Sequence, residues 1–371
     1  MKTITFIISH RPDNRYIKRF RVLSGNFNIN LIFWNKTNTR IDTNINNVNI
    51  LEIHIPANQT NPLKRIPETV LFLRKAYKEL LKTDSDYVYV GNLDMLYIAR
   101  KYKLKKDLVK IIYEIADLHR LIIDEQKGIK KLLRSVLKLI EKKYIQLVDI
   151  LVLTSMKFYD VYYKELIDRN KVVFLPNMPE ESTFYGYIPK ERTGKPFTIG
   201  FIGWIRYKEQ LKMLIDAAKE TGIHVLFAGS DSDGIAFEEY CKNFPFVSFL
   251  GTFDYGEKIR ELYDQIDCVY AVYDADMNNV RIALPNKLYE AIKCEKPIIV
   301  SKGTYLSELV KTYGVGVEVG HHDKANLVDS ILRLKNDKEY YEELVCNERK
   351  IKKDINLSKY NDCLIHAIET L

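Results

Sequence analysis

The chain has 371 residues, 46% hydrophobic and 29% charged, with 57 Lys and Arg against 49 Asp and Glu for a net charge of +8. That composition excludes a disordered, collagen-like or disulfide-stapled chain, and the length suits two domains, or three small ones, of roughly 150 residues. None of the five cysteines, Cys241, Cys268, Cys294, Cys346 and Cys363, stands in a C-x-x-C pair, which fits a reducing cytosol and argues against a zinc or disulfide framework.

The first apolar run, Thr3 to Ile8, is too short for a signal peptide and reads as a buried strand. No later stretch approaches the roughly 18 apolar residues that cross a bilayer, so a cytoplasmic chain, at most peripheral on a membrane, is expected. Further strands are predicted at Ile29 to Phe33, Val48 to Ile53, Tyr87 to Val90, Lys110 to Glu114, Ile150 to Leu153 and Val172 to Leu175, with helical patterns such as Pro67 to Lys82 and Ile129 to Leu147 between them. Strand and helix alternating in this way is the mark of βαβ units and parallel sheets. Asp84 and Asp86 have D-x-D spacing but precede a strand, and read as a helix-to-strand turn rather than a metal site.

Between Lys127 and Tyr144 seven cations (Lys127, Lys130, Lys131, Arg134, Lys138, Lys142 and Lys143) face only Glu141, and Ile129, Leu132, Leu133, Val136, Leu137, Leu139 and Ile140 make a broad apolar face. The favoured reading is a helix whose apolar stripe is core and whose lysines are solvated. The alternative is a helix lying on anionic lipid. Nucleic-acid binding is not expected, since no aromatic-interleaved basic groove accompanies the charge.

Pro176, Pro179, Gly186, Pro189, Gly194 and Pro196 punctuate a stretch that reads as an interdomain linker. The rhythm then restarts with strands at Thr198 to Ile202, His224 to Ala228, Val247 to Leu250, Cys268 to Val272, Pro297 to Val300 and Val315 to Val319. The prediction is therefore α/β: a Rossmann-like, doubly wound domain over 1–178, a linker over 179–196 and a second such domain over 197–356, with ligand bound between them. A final helix over 357–371 is a candidate to return to the first domain. His321 and His322 read as a loop pair with no third ligand in evidence.

Two segments carry the chemistry. A buried strand runs to Gly203 and is followed by Arg206, Lys208 and an amphipathic helix. A glycine there admits a ligand close to backbone, and a helix start with two cations suits a diphosphate. Pro285 then opens a helix bearing Asn286, Lys287 and Glu290, the last two at i, i+3 on one face. A carboxylate so placed can accept both hydroxyls of a ribose while the lysine reaches a phosphate. The plain alternatives are solvated cations after a strand, and a surface ion pair worth a few tenths of a kcal/mol.

Together these segments resemble the donor half of the GT-B glycosyltransferases, nearest the retaining family four. Pro285, Lys287, Glu290 and Pro297 fall on that family's P-x-K-x-x-E-x-x-x-x-x-x-P helix. Gly229 to Asp231 resembles its strand-end A-G turn, Val247 to Gly251 its V-x-F-L-G strand, and Tyr263 to Asp267 its Y-x-x-A-D helix end. In the first half, Tyr113 to His119 is similar to a strand ending in a cleft Asp or His, and Asp149 to Ser155 with Val173 to Asn177 to the approach to the linker. Two departures stand out: Ile282 occupies the place of the earlier acid of the E-x7-E motif, and Ser9 to Asp13, followed by Arg15 and Arg19, replaces a glycine-rich first loop.

The resemblance implies two Rossmann-like domains facing each other across a cleft, and retaining transfer of sugar from a nucleotide diphosphate sugar, UDP-sugar favoured, to a saccharide or lipid-linked acceptor in surface polysaccharide assembly. It implies a donor site of Gly203, Arg206, Lys208, Asn286, Lys287 and Glu290, with Asp117, His119 and Glu290 nearest the chemistry and Asn92 and Asp94 as further cleft candidates. It also implies that the chain's own cations, with no metal cofactor, stabilise the leaving diphosphate. Two other classes stay open: a nucleotide-sugar epimerase of the same fold, which would release free epimerised sugar, and a non-catalytic nucleotide-sugar-binding protein, which would bind donor without hydrolysing it.

Overall fold

A computed structural model describes residues 1–37, 45–58, 63–124, 127–190, 192–231 and 235–371. The chain forms two compact units, one of Met1–Pro176 with Ser358–Leu371 and one of Asn177–Leu357.

The first unit is built on a seven-stranded sheet of β1 (Thr3–Ile8), β2 (Asn28–Asn35), β3 (Val48–His54), β4 (Tyr87–Val90), β5 (Lys110–Ile115), β6 (Ile150–Leu153) and β7 (Val172–Phe174). Their order is β3-β2-β1-β4-β5-β6-β7, and every pairing is parallel. Central strands of such a sheet are covered on both faces, so they are written as unbroken apolar runs. β4 and β6 are buried at every residue, whereas the edge strand β3 alternates. The core joins Ile4, Phe6 and Ile8 of β1 to Tyr16 and Phe20, and the Leu357–Glu369 helix adds Leu364 and Ile368. The Tyr87 hydroxyl donates to the Ile368 carbonyl at 3.1 Å.

The second unit repeats the plan with β8 (Thr198–Ile202), β9 (His224–Ala228), β10 (Val247–Phe249), β11 (Cys268–Ala271), β12 (Ile298–Ser301) and β13 (Gly316–Val319) in the order β10-β9-β8-β11-β12-β13, all parallel. The α/β class with two parallel, doubly wound sheets is thus the observed one. The segment 179–196, of which residue 191 lies outside the described residues, is tied to the second unit. Tyr187 donates to Asp264 at 2.6 Å, and Arg192 pairs with Asp267.

The basic helix, Ile129–Ile145, departs from the favoured expectation. Ile129, Leu132, Leu133, Val136 and Leu139 are 84%, 67%, 46%, 43% and 67% exposed, so the stripe is not core. The helix is anchored at its C-terminal end, where Ile145 is buried and the Glu141 carboxylate accepts from the Tyr162 and Tyr163 hydroxyls at 2.7 and 2.9 Å.

Candidate active site

In a doubly wound sheet ligands gather at the carboxyl ends of the strands. In the second unit two glycines meet there. Gly203 follows β8 with φ of 138° and Gly229 follows β9 with φ of 141°, a backbone region that L side chains rarely adopt. A Cβ on Gly229 would lie 1.9 Å from the Gly203 carbonyl oxygen, and one on Gly203 would lie 2.7 Å from Lys287 Nζ. The two glycines therefore permit backbone-to-backbone contact and leave room for one ammonium.

That ammonium is held by the Lys287–Cys294 helix, which places Lys287 in its first turn. Lys287 is 7% exposed and its Nζ stands 4.4 Å from the centroid of the Phe201 ring. Burial pulls its pKa down to about 8, against the attraction of Glu290. Among the described residues no carboxylate comes within ion-pair distance of it. A buried cation without a counter-ion is costly, and an anionic ligand relieves that cost.

The neighbouring candidates are differently engaged. Glu290, 2% exposed, receives the Tyr255 hydroxyl at 2.6 Å and Asn286 Nδ2 at 2.8 Å on Oε1, and the Tyr263 hydroxyl at 2.8 Å on Oε2. A carboxylate offers about four acceptor positions, so three are filled and little is left for a ribose. Burial first, then the Glu290 charge, raise the pKa of both tyrosines. Tyr255 and Tyr263 stand 35 and 27 residues from Glu290, and no local spacing links them to it in the sequence. Lys208 is paired with Asp231 at 2.8 Å. Arg206 is exposed, its guanidinium 5.0 Å from the Trp204 ring centroid, which leaves it accessible to a ligand.

In the first unit, Asp117 and His119 follow β5 and are exposed, and the His119 ring nitrogen Nδ1 accepts from the Leu121 amide at 3.2 Å. Nearby strand ends carry a network that the sequence suggested only through Arg15 and Arg19. Glu114 is fully buried; Tyr89 donates to it at 2.5 Å, and Arg19 and Arg15 approach it at 3.2 and 3.5 Å. Burial opposes its charge, but the two arginines win and hold its pKa below the ordinary value. Gly91 makes way for Tyr16, whose hydroxyl would lie 1.9 Å from a Cβ there. Asn92 donates to Ser9 at 2.9 Å, and burial raises the pKa of Asp94 against the pull of the Met95 amide.

His321 and His322 lie in the turn after β13 as expected, and Asp274 and Asp276, from the loop after β11, lie beside them, one side-chain N or O atom from each of the four falling within 4.8 Å of the others. The sheet brings together two loops that are 45 residues or more apart in sequence. Asp84 and Asp86, by contrast, are used in a turn, Asp84 pairing with Lys106 and Asp86 accepting from the Thr3 amide.

Comparison with known proteins agrees with this architecture. Residues 187–351 match the family described as Glycosyl transferases group 1. The succinoglycan biosynthesis protein ExoL of Rhizobium meliloti (strain 1021) is 25% identical over 256 residues, 65% of this chain and 62% of that protein, so a little under two thirds of the relative is spanned. Sucrose-phosphate synthase from Thermosynechococcus elongatus superposes with a TM-score of 0.76 at 14% identity, covering 100% of this chain and 99% of that one. Anabaena HepE in complex with UDP-glucose gives 0.72 at 13% identity with both chains wholly covered. Both likenesses are of fold. The second unit thus carries a region similar to the group 1 glycosyl transferase domain, and the two-sheet α/β fold is the one these solved structures share.

Proposed function

We propose that the chain transfers a sugar from a nucleotide diphosphate sugar, UDP-sugar favoured, to a saccharide or lipid-linked saccharide in surface polysaccharide assembly. The observation that carries the reading is Lys287: a buried ammonium with no carboxylate in ion-pair contact among the described residues, aimed at the two-glycine strand end of the domain that resembles the family's. A diphosphate seated there gains a charge-assisted contact that strengthens as negative charge builds on the leaving group. Arg206 is free to close over the anion through its planar fork, while Glu290, with Asn286 and the two tyrosines, fixes the helix that carries Lys287. Lys208 contributes through Asp231, anchoring the turn after β9.

In this reading departure of the diphosphate is assisted by cations of the chain, so turnover needs no added magnesium or manganese, and the configuration at the anomeric carbon is retained. Asp117 and His119 position the acceptor or the sugar from the first unit. HepE was crystallised with UDP-glucose and ExoL is a succinoglycan biosynthesis protein, which supports a UDP-sugar donor and a polysaccharide product. The exposed apolar face of the Ile129–Ile145 helix, flanked by lysines, supports docking on an anionic membrane surface. No helix among the described residues is long and apolar enough to cross a membrane.

The test is a thermal-shift screen with UDP-, GDP-, CMP- and dTDP-sugars on the protein and on Lys287→Met. A UDP-sugar is expected to raise the melting temperature, and loss of a hydrogen bond to a charged group, about 1.5–3 kcal/mol, weakens its binding about 10- to 100-fold in the variant. A screen with no response, or a response that Lys287→Met leaves intact, overturns the reading.

A further inference from the structure

The loop after β11 and the turn after β13 converge on four side chains of metal-ligating type. His321 Nε2 lies 3.7 Å from Asp274 Oδ1 and 3.5 Å from Asp276 Oδ2, and His322 Nε2 lies 4.0 Å from the same Asp276 oxygen. These gaps are too long for hydrogen bonds. They are close to the separation of about 3.4 Å between neighbouring ligand atoms that bonds of about 2.1 Å impose around a tetrahedral ion.

An independent observation points the same way. His321 Nε2 is shut off from solvent and has no hydrogen-bond partner, an arrangement that leaves a buried polar atom unpaid unless something binds it. The turn that presents it is built rather than slack. The Asp323 amide donates to the Gly320 carbonyl at 3.0 Å, and the buried Gln210 side chain donates to the His321 carbonyl at 3.3 Å. On the other side Asp274 Oδ1 accepts from the Asp276 amide at 3.0 Å, holding the Asp274 carboxylate against the backbone of its own loop. Two carboxylates with two neutral imidazoles carry a charge of −2. Arg281, 3.9 Å from Asp276 Oδ1, offsets part of it from outside the cluster.

We propose that Asp274, Asp276, His321 and His322 form a binding site for one divalent transition-metal cation of the zinc class. Mixed imidazole and carboxylate donors select zinc, cobalt or nickel over magnesium and calcium, which prefer all-oxygen shells. The ion fastens the 273–277 loop to the 320–323 turn. That loop runs on through the short Asn278–Ile282 helix to Lys287, so the metal steadies the approach to the lysine without taking part in bond breaking.

The experiment uses the full chain, stripped with a chelator and without nucleotide, so that it stands apart from donor binding. Titration with zinc sulfate is followed by calorimetry and melting temperature, and titration with cobalt by the visible bands of a tetrahedral ion. One ion per chain, a rise in melting temperature and intense tetrahedral cobalt bands are expected. His321→Ala and Asp276→Asn should each weaken binding tenfold or more, whereas His366→Ala, a surface histidine in the other unit, should not. Circular dichroism establishes that the variants are folded, and the softer His322→Gln gives a second reading if His321→Ala does not fold. Absence of stoichiometric binding, octahedral cobalt spectra, or binding unchanged in His321→Ala, Asp276→Asn and His322→Gln overturns the site.

Discussion

Lys287 sets two properties against each other. Its pKa is about 8 in the folded chain and near 10.5 unfolded, so between those pH values the unfolded chain binds more protons and stability rises with pH. Below pH 8 the fold carries the cost of a buried charge. Lys287→Met should therefore stabilise the empty protein at pH 7 by about 1–3 kcal/mol in urea melts while impairing donor binding. An incoming diphosphate favours the ammonium, so above pH 8 binding should take up part of a proton per ligand. Calorimetry in buffers of different ionisation enthalpy reads that uptake, and Lys287→Met should abolish it. Lys287 and Glu290 were both legible in the sequence as a pair at i, i+3 on a helix start. Their division of labour was not, because it depends on Tyr255 and Tyr263, which another helix brings to the Glu290 carboxylate.

Helix periodicity shows that a face is apolar without showing what covers it. The Ile129–Ile145 helix illustrates this: its stripe has the spacing of a core face, yet only its final turns are embedded, through Ile145 and the Glu141–tyrosine cluster. Apolar side chains at water level beside Lys130, Lys131 and Arg134 match an interfacial helix. Charge reversal at the exposed Lys130 and Lys131 should abolish co-sedimentation with vesicles containing anionic lipid, leaving the melting temperature nearly unchanged; absence of binding by the parent protein would dispose of the membrane reading. The strands were more readable, since runs such as Ile150–Leu153 have one interpretation when both faces are covered. The 320–323 turn was less so: adjacent histidines say nothing about a loop on another strand until the sheet order, with β12 between β11 and β13, sets them side by side.

For the molecule as a whole, the alternation of strand and helix conveyed two doubly wound sheets, because each βαβ unit is locally encoded. The return of the Leu357–Glu369 helix to the first unit was conveyed only as a candidate, since the fit of Leu364 and Ile368 against Phe6, Phe20 and their neighbours is a long-range match. Leu364→Ala should cost about 2–5 kcal/mol, as expected for a fully buried leucine, and should lower the melting temperature without altering zinc affinity. The unit containing residues 1–176 is discontinuous, and the one between its parts is not. During translation the second unit can complete itself as soon as residue 357 clears the ribosome, while the unit begun earlier must wait, its hydrophobic seat open, for residues 358–371 to arrive. Nascent chains stalled before that point should accordingly recruit chaperones at the portion synthesised first.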